Sequence, residues 1–377
     1  MQLNNPFVTK GYAGPEYFCD RQKETSDMVQ LLTNDNNMAL ISPRRLGKTD
    51  LIRHCFSQET IHKKYYTFLI DVYATNSLND FVNVFGKAIL DELKPFGKKV
   101  WETFVSALKS VQSEISFDIN GNPVWGIGLG SMESASVTLD EIFSFLEHAD
   151  KPCLVAIDEF QQITQYGDSQ NVEAALRTHI QRCLNATFIF AGSKRHLMNE
   201  IFTSPSRPFY QSVVTMGLSP ISCEKYEQFA THLFQIHGKK LEGAVVSEVY
   251  RRFRGVTSCL QRVMNVLFFR TPAGSVCTAD MVDDAVSFLL DLYTENYQTM
   301  MGQMSEKQRS LFLAITLEGN ARAITSGAFI KKYRLWSASS VMSAVKALMD
   351  KDFVTLENGA YMVYDQFFAL WVKRELG

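Results

Sequence analysis

Two short runs hold the residues whose types and spacing can do chemistry. The first, ALISPRRLGKTDLI (residues 39–52), places Gly47-Lys48-Thr49 between an apolar run and an amphipathic one. A strand that ends in a flexible loop and enters a helix aims the backbone N–H groups of the loop and of the helix N-terminus at an anion. Lys48 is placed to reach the β- and γ-phosphates of a nucleotide, and Thr49 to offer its hydroxyl to magnesium. Gly47 lets the backbone approach closely. Ser42, Pro43, Arg44, Arg45 and Leu46 before it, and Asp50 after it, complete the nucleotide-binding stretch. Ser42 stands where the first glycine of such a loop is expected. At the loop's entrance a small residue suffices provided its φ stays negative. The competing reading is a bare Gly-Lys-Thr at an ordinary helix start.

The second run, CLVAIDEF (residues 153–160), weighs against that competitor. Four apolar residues lead into Asp158-Glu159, about 110 residues after Lys48. An acidic pair at the end of a buried strand is costly without a cation or a partner. Asp158 fits the second magnesium ligand. Glu159 fits the base that polarises the attacking water. The next apolar run, TFIFAGS (187–193), ends in Ser193, which reads either as a contact to the γ-phosphate or as a small strand-end residue.

These side chains need a frame. NMALISP, YYTFLIDVYA, CLVAID, ATFIFAGS and VVTMGLSPI read as strands, separated by helical stretches that include about 78–112, LDEIFSFLEHA and NVEAALRTHIQRCL. Thr138 and Glu141 have the spacing of a capping box and predict a helix start there. Strands alternating with helices imply a parallel sheet covered on both faces. ISFDINGNPVWGIGLG (115–130) interrupts this with two extended runs around Asn120-Gly121, a hairpin signal. Beyond residue 221 helical periodicity takes over, predicting a small helical domain to about 304. A capping box at Ser305 and Gln308 opens a third unit of three helices (306–317, 325–333, 337–350) and a hairpin through Asn358-Gly359, the order of a winged helix.

Composition narrows the class. Of 377 residues 46% are hydrophobic and 21% charged, and the net charge is −2, so the whole chain is not an electrostatic binder of nucleic acid. No apolar run approaches the ~20 residues needed to span a bilayer, and nothing reads as a secretory signal. Seven scattered cysteines, without a CxxC, predict reduced thiols and a cytoplasmic location.

The opening PFVTKGYAGPEYFCDRQKE, the SPRRLGKT loop, VAIDEF, AGS and the winged-helix tail together resemble the AAA-type archaeal-ATPase family, within the STAND group of signal-transduction ATPases. The resemblance spans nearly the whole chain. It implies a parallel-sheet P-loop core over 1–221 with a hairpin insert near 115–130, a helical lid over 222–304 and a winged helix over 305–377. It also implies ATP and magnesium as cofactors. The family's adenine-placing element maps onto Arg21 and Glu24, with Asp20 in place of its glycine. Gln211 and Ser212 replace the Gly-Arg that carries the family's arginine finger, leaving Arg207 upstream as the substitute. RGVTSCLQ (254–261) lacks the proline of the lid motif.

The function expected is that of an ATP-binding switch with slow magnesium-dependent hydrolysis. Lys48, Glu159 and Ser193 carry the catalysis, and Thr49 and Asp158 hold the metal. An ATP-gated DNA-binding regulator and a nucleotide-binding scaffold with negligible turnover are the alternatives. The winged-helix region has ten Lys and Arg against seven Asp and Glu, a net of +3, and its third helical run, SASSVMSAVKALMD, the would-be recognition helix, has one base, Lys346. DNA affinity rests largely on phosphate contacts. A protein partner is therefore favoured over DNA, and no membrane partner is expected.

Overall fold

The computed structural model describes residues 3–111, 115–118, 123–125 and 135–376. The chain forms two compact units, Lys10–Ile221 and Ser222–Gly377, the second taking in Met1–Thr9. The opening residues, expected with the core, thus lie with the helical unit. The cause is Phe7, which is fully buried among Phe229, Phe234 and Phe268. Asn5 Nδ2 donates to the Asn265 carbonyl while Asn265 Nδ2 donates to the Phe7 carbonyl.

The first unit runs α1 (Gln22–Thr33), β1 (Met38–Ile41), α2 (Lys48–Phe56), α3 (Glu59–His62), β2 (Tyr66–Asp71), α4 (Leu78–Leu93), α5 (Lys98–Ala107), β3 (Ile115–Phe117), β4 (Pro123–Trp125), α6 (Ala135–His148), β5 (Cys153–Asp158), α7 (Ser169–Arg182), β6 (Ala186–Gly192), α8 (Arg195–Thr203) and β7 (Val214–Gly217). Five strands form one parallel sheet in the order β2-β5-β6-β1-β7. Successive side chains of a strand face opposite ways. Phe188 and Phe190 of β6 accordingly join the core under α4 to α7, while Ile189 and Ala191 join the one under α1 to α3. Both faces are covered, so β5 and β6 are buried along their whole length. The short β3–β4 pair is antiparallel, and Trp125 lies over Gly86 of α4, whose missing side chain makes room for the indole. The Asn120-Gly121 turn expected between these strands lies outside the described residues.

One local expectation fails. The helix α6 already begins at Ala135, so Thr138 is no cap. Thr138 is buried and its hydroxyl meets that of Ser110, and Glu141 accepts from the Ser110 N–H and hydroxyl. The pair that spacing assigned to a helix start instead ties α6 to the segment after α5.

The second unit runs α9 (Cys223–Ile236), β8 (Lys240–Leu241), α10 (Gly243–Phe253), α11 (Thr257–Arg270), β9 (Val276–Cys277), α12 (Met281–Gly302), α13 (Glu306–Glu318), α14 (Gly327–Lys332), α15 (Ala338–Asp350), β10 (Val354–Glu357), β11 (Ala360–Val363) and α16 (Gln366–Leu376). The capping box at Ser305 and Gln308 is formed in both directions. The hairpin β10–β11 turns through Asn358 and Gly359, both left-handed, as a tight turn of this type requires. The sequence predicts no helix where α16 lies, though it predicts that Phe367, Phe368 and Trp371 pack on the nucleotide or lid region. The helix carries Phe367, Phe368 and Trp371 onto α10 and α12. Phe367 lies 4.5 Å from Phe253, Phe368 stacks on Tyr297 at 4.7 Å, and Trp371 Nε1 donates to Thr294 at 3.1 Å. Arg374 adds an ion pair to Asp291 at 2.8 Å.

Candidate functional site

The β1–α2 loop is built by the end of a buried strand. Ser42 is fully buried, and its N–H donates to the Gly192 carbonyl on β6 at 3.2 Å, which carries the ladder one residue past β1. Ser42 is not among the residues with positive φ, so the serine takes the glycine's place without backbone strain. Its hydroxyl donates to the Pro43 carbonyl at 3.1 Å. Arg45 and Gly47 are left-handed, with φ of 69° and 88°, and they turn the chain sharply into α2. A helix start leaves its first N–H groups without intrahelical acceptors. Here those groups belong to the turn that begins at Lys48.

A phosphate-binding lysine in an open cleft would stand exposed, but Lys48 is 5% exposed. Its stem runs beneath the loop and Nζ donates to the Ser42 carbonyl at 3.1 Å. Burial pushes its pKa down, while Glu159 and Asp158 pull it back up. Asp50, next to the loop's threonine, is pushed up by burial, against Arg53.

The acidic pair stands directly opposite. Thr49 Oγ1 donates to Asp158 Oδ2 at 2.5 Å, and the Glu159 N–H donates to Asp158 Oδ1 at 2.9 Å. Burial raises the Asp158 carboxyl above the usual carboxylate range, and the Thr49 bond and Lys48 oppose that rise. Glu159 is a left-handed non-glycine residue, φ 54°, a conformation that costs roughly 1–2 kcal/mol. Its carboxylate Oε2 accepts from Ser193 Oγ at 2.7 Å and from Gln161 Nε2. Arg44 Nε lies 3.8 Å from Glu159 Oε1 and donates to Ser193 Oγ at 3.2 Å, and its guanidinium lies over the Tyr73 ring.

The structure therefore gathers Ser42, Arg44, Lys48, Thr49, Asp158, Glu159 and Ser193 into one polar cluster at the C-terminal ends of β1, β5 and β6. Pro43, Arg45, Leu46 and Gly47 shape its loop. Arg21 and Glu24 form a separate pair. Arg21 is 4% exposed, with its guanidinium donating to Glu24 Oε1 at 2.6 Å and to the Ser219 carbonyl at 2.7 Å, so it clasps the start of α1 to the segment after β7. From the opening stretch, Tyr12 Oη meets His54 Nδ1 at 2.8 Å, and Phe18 stacks on the same ring, on α2 one turn beyond Asp50.

Arg207 does not serve as an exposed finger. Its side chain is 11% exposed and lies 2.9 Å from the fully buried Glu173. Sequence reasoning also missed Gln161, which is 3% exposed on the turn after β5. Its signal was weak: a glutamine two residues past the acidic pair. Gly192 makes room for it, since a Cβ there would meet Gln161 Oε1 at 2.5 Å.

A parallel sheet of this order, with a lysine-threonine loop after β1 and paired acids ending β5, defines the fold of a P-loop ATPase. A winged-helix domain closes the chain, and a family model described as a probable winged helix domain matches residues 295–374. That match begins on α12, ahead of the boundary at 305 expected from the capping box. An uncharacterized ATP-binding protein of Methanocaldococcus jannaschii is 26% identical over 223 residues, covering 55% of this chain and 58% of that protein. The match thus spans little more than half of the relative's length. The Walker-type ATPase of Pyrococcus abyssi superposes with a TM-score of 0.68 at 17% identity, covering 98% of this chain and 99% of that one. The Aeropyrum pernix ORC2 protein, solved as ADPNP–ADP complexes, gives 0.59 at 13% identity over 98% and 96%. The chain has the fold of these archaeal ATPases, as the sequence resemblance implied.

Proposed function

We propose that this chain binds ATP on residues 42–50 and hydrolyses it slowly, and that the nucleotide state acts as a switch read by the second unit. The observation that supports this best is the meeting of Thr49 with Asp158 beside Lys48 and Glu159. The donor set also fits magnesium. A hydroxyl and a carboxylate oxygen are hard ligands, and two protein ligands with water and phosphate oxygens are the usual complement for this ion. Burial of the Asp158 charge is what a cation would offset. When bound, magnesium would neutralise charge developing on the phosphate oxygens.

The chain's own residues supply the rest. The loop amides and Lys48 bind the β- and γ-phosphates. Glu159 takes a proton from the attacking water. The water oxygen bonds to the γ-phosphorus, and the bond to the β–γ bridging oxygen breaks, its electron pair leaving with ADP. Ser193 and Gln161 hold the Glu159 carboxylate in place. The packing of α16 on α10 and α12 supports reading the winged helix as a protein-contact module rather than a DNA reader. The STAND-type switch is the physiological form this reading takes. Single-turnover hydrolysis of bound ATP tests it. Glu159→Gln should keep ATP affinity and lower the rate by about 10²–10⁴-fold, the usual contribution of a general base. Equal rates would move the base elsewhere.

A further inference from the structure

Arg44 links the loop to the base through a third side chain. It sits on the loop, its Nε donates to Ser193 Oγ, and that hydroxyl donates to Glu159 Oε2. The direct Arg44–Glu159 separation, 3.8 Å, is longer than either link of this relay. Both ends rest on backbone with a left-handed non-glycine residue: Arg45 next to Arg44, and Glu159 itself. Such conformations persist only where the surroundings impose them, and they relax when the contacts change. A guanidinium pairs with phosphate at least as well as with a hydroxyl or a carboxylate, through its planar fork of donors.

We propose that Arg44 is a positioning residue: through Ser193 it sets the place of the Glu159 carboxylate, and the γ-phosphate of bound ATP pairs with the same guanidinium while its Nε stays on Ser193. This rests on the reading of the loop as an ATP site and deepens it. A diphosphate carries no γ-phosphate, so Arg44 stays on Ser193 when ADP is bound. A triphosphate draws the guanidinium toward the loop with its Nε still on Ser193, so Ser193 and Glu159 shift together toward the attacking water. Gln161 stays on the carboxylate in both states and keeps it from swinging free. The loop thereby reports the phosphate count of its nucleotide to the base within one chain, without an arginine from a neighbour.

The test is a double-mutant cycle on the full chain, read by single-turnover hydrolysis of magnesium-ATP and by ATP and ADP affinities. Arg44→Ala should lower the rate on the order of 10²-fold, the scale of a base misplaced by about an ångström. It should weaken ATP binding while ADP affinity changes less than about twofold, because only the triphosphate reaches the guanidinium. Ser193→Ala should lower the rate without altering the ratio of the two affinities. The double variant should be no slower than the slower single, because both act through one relay. Arg44→Lys should not restore the rate, since an ammonium lacks the fork; it also carries the test if the alanine variant fails to fold. Multiplying rate effects, or an unaltered rate in Arg44→Ala, would overturn the relay alone. A wild type that binds neither nucleotide would overturn this inference and the ATP-site reading together.

Discussion

Asp158 carries a buried charge whose burden depends on pH. Its carboxyl is held above the ordinary carboxylate range by burial, so the folded chain binds that proton more tightly than the unfolded one. Such a group favours the folded state where it is protonated and costs stability once pH rises through its folded pKa. Asp158→Asn should therefore melt higher than wild type at neutral pH without nucleotide, by about 2–4 °C for each kcal/mol relieved. The gap should narrow as pH falls and the wild-type carboxyl takes up its proton. Calorimetric melting across pH checks this, and a gap that widens toward acid would contradict it. That Lys48, Thr49, Asp158 and Glu159 come together was legible from sequence because strand ends and a helix start announced where they sit. The Arg44–Ser193–Glu159 relay was not legible. It depends on where side chains from three separate segments point after folding, and no spacing along the chain encodes that.

At the scale of an element, β6 is the strand on which the site leans. It pairs with both β1 and β5, and its end at Gly192 and Ser193 adjoins both the loop and the base. A Cβ at Gly192 would stand 2.3 Å from Met198 Sδ and 2.5 Å from Gln161 Oε1. Gly192→Ala should cost about 1–3 kcal/mol through overpacking. By pushing Gln161 it should also slow hydrolysis while leaving ADP affinity near the wild-type value. Melting temperature and single-turnover rate, measured together, separate the two effects, and an unchanged rate would remove Gln161 from the account. The central strands β1, β5 and β6 were readable because burial on both faces leaves near-continuous apolar runs. The Thr138–Glu141 spacing misled because a capping box and a tertiary contact to a neighbouring turn use the same residue types. Only the course of the preceding chain, which brings Ser110 alongside, distinguishes them.

At the scale of the whole molecule, the two units pose different questions. The second unit was legible as helices and a hairpin, but α16 was not legible as a helix, although its aromatic residues Phe367, Phe368 and Trp371 read as packing on the nucleotide or lid region, with the domain's own core as the alternative. Phe367 and Trp371 in fact reach α10 and α12. The exposed positions of α15 carry a single cation, Lys346, and Lys332 of α14 is paired with Glu318 at 2.7 Å. DNA affinity should accordingly be weak, with a salt dependence far shallower than the roughly 10³–10⁵-fold loss between 50 and 200 mM shown by proteins making 6–10 phosphate contacts. Fluorescence anisotropy with duplex DNA at two salt concentrations measures this, and tight, steeply salt-dependent binding would restore the DNA-regulator reading.

The central claim, that residues 42–50 bind ATP, is tested most directly by calorimetric titration of magnesium-ATP into the full chain and into Lys48→Met. Methionine keeps most of the buried stem's volume beneath the loop and removes only the ammonium that sits on the Ser42 carbonyl. The account predicts saturable one-site binding by wild type. In the variant it predicts affinity lower by at least about a hundredfold, about 2.7 kcal/mol, with the melting temperature little changed. Equal affinity in a folded Lys48→Met variant would contradict it.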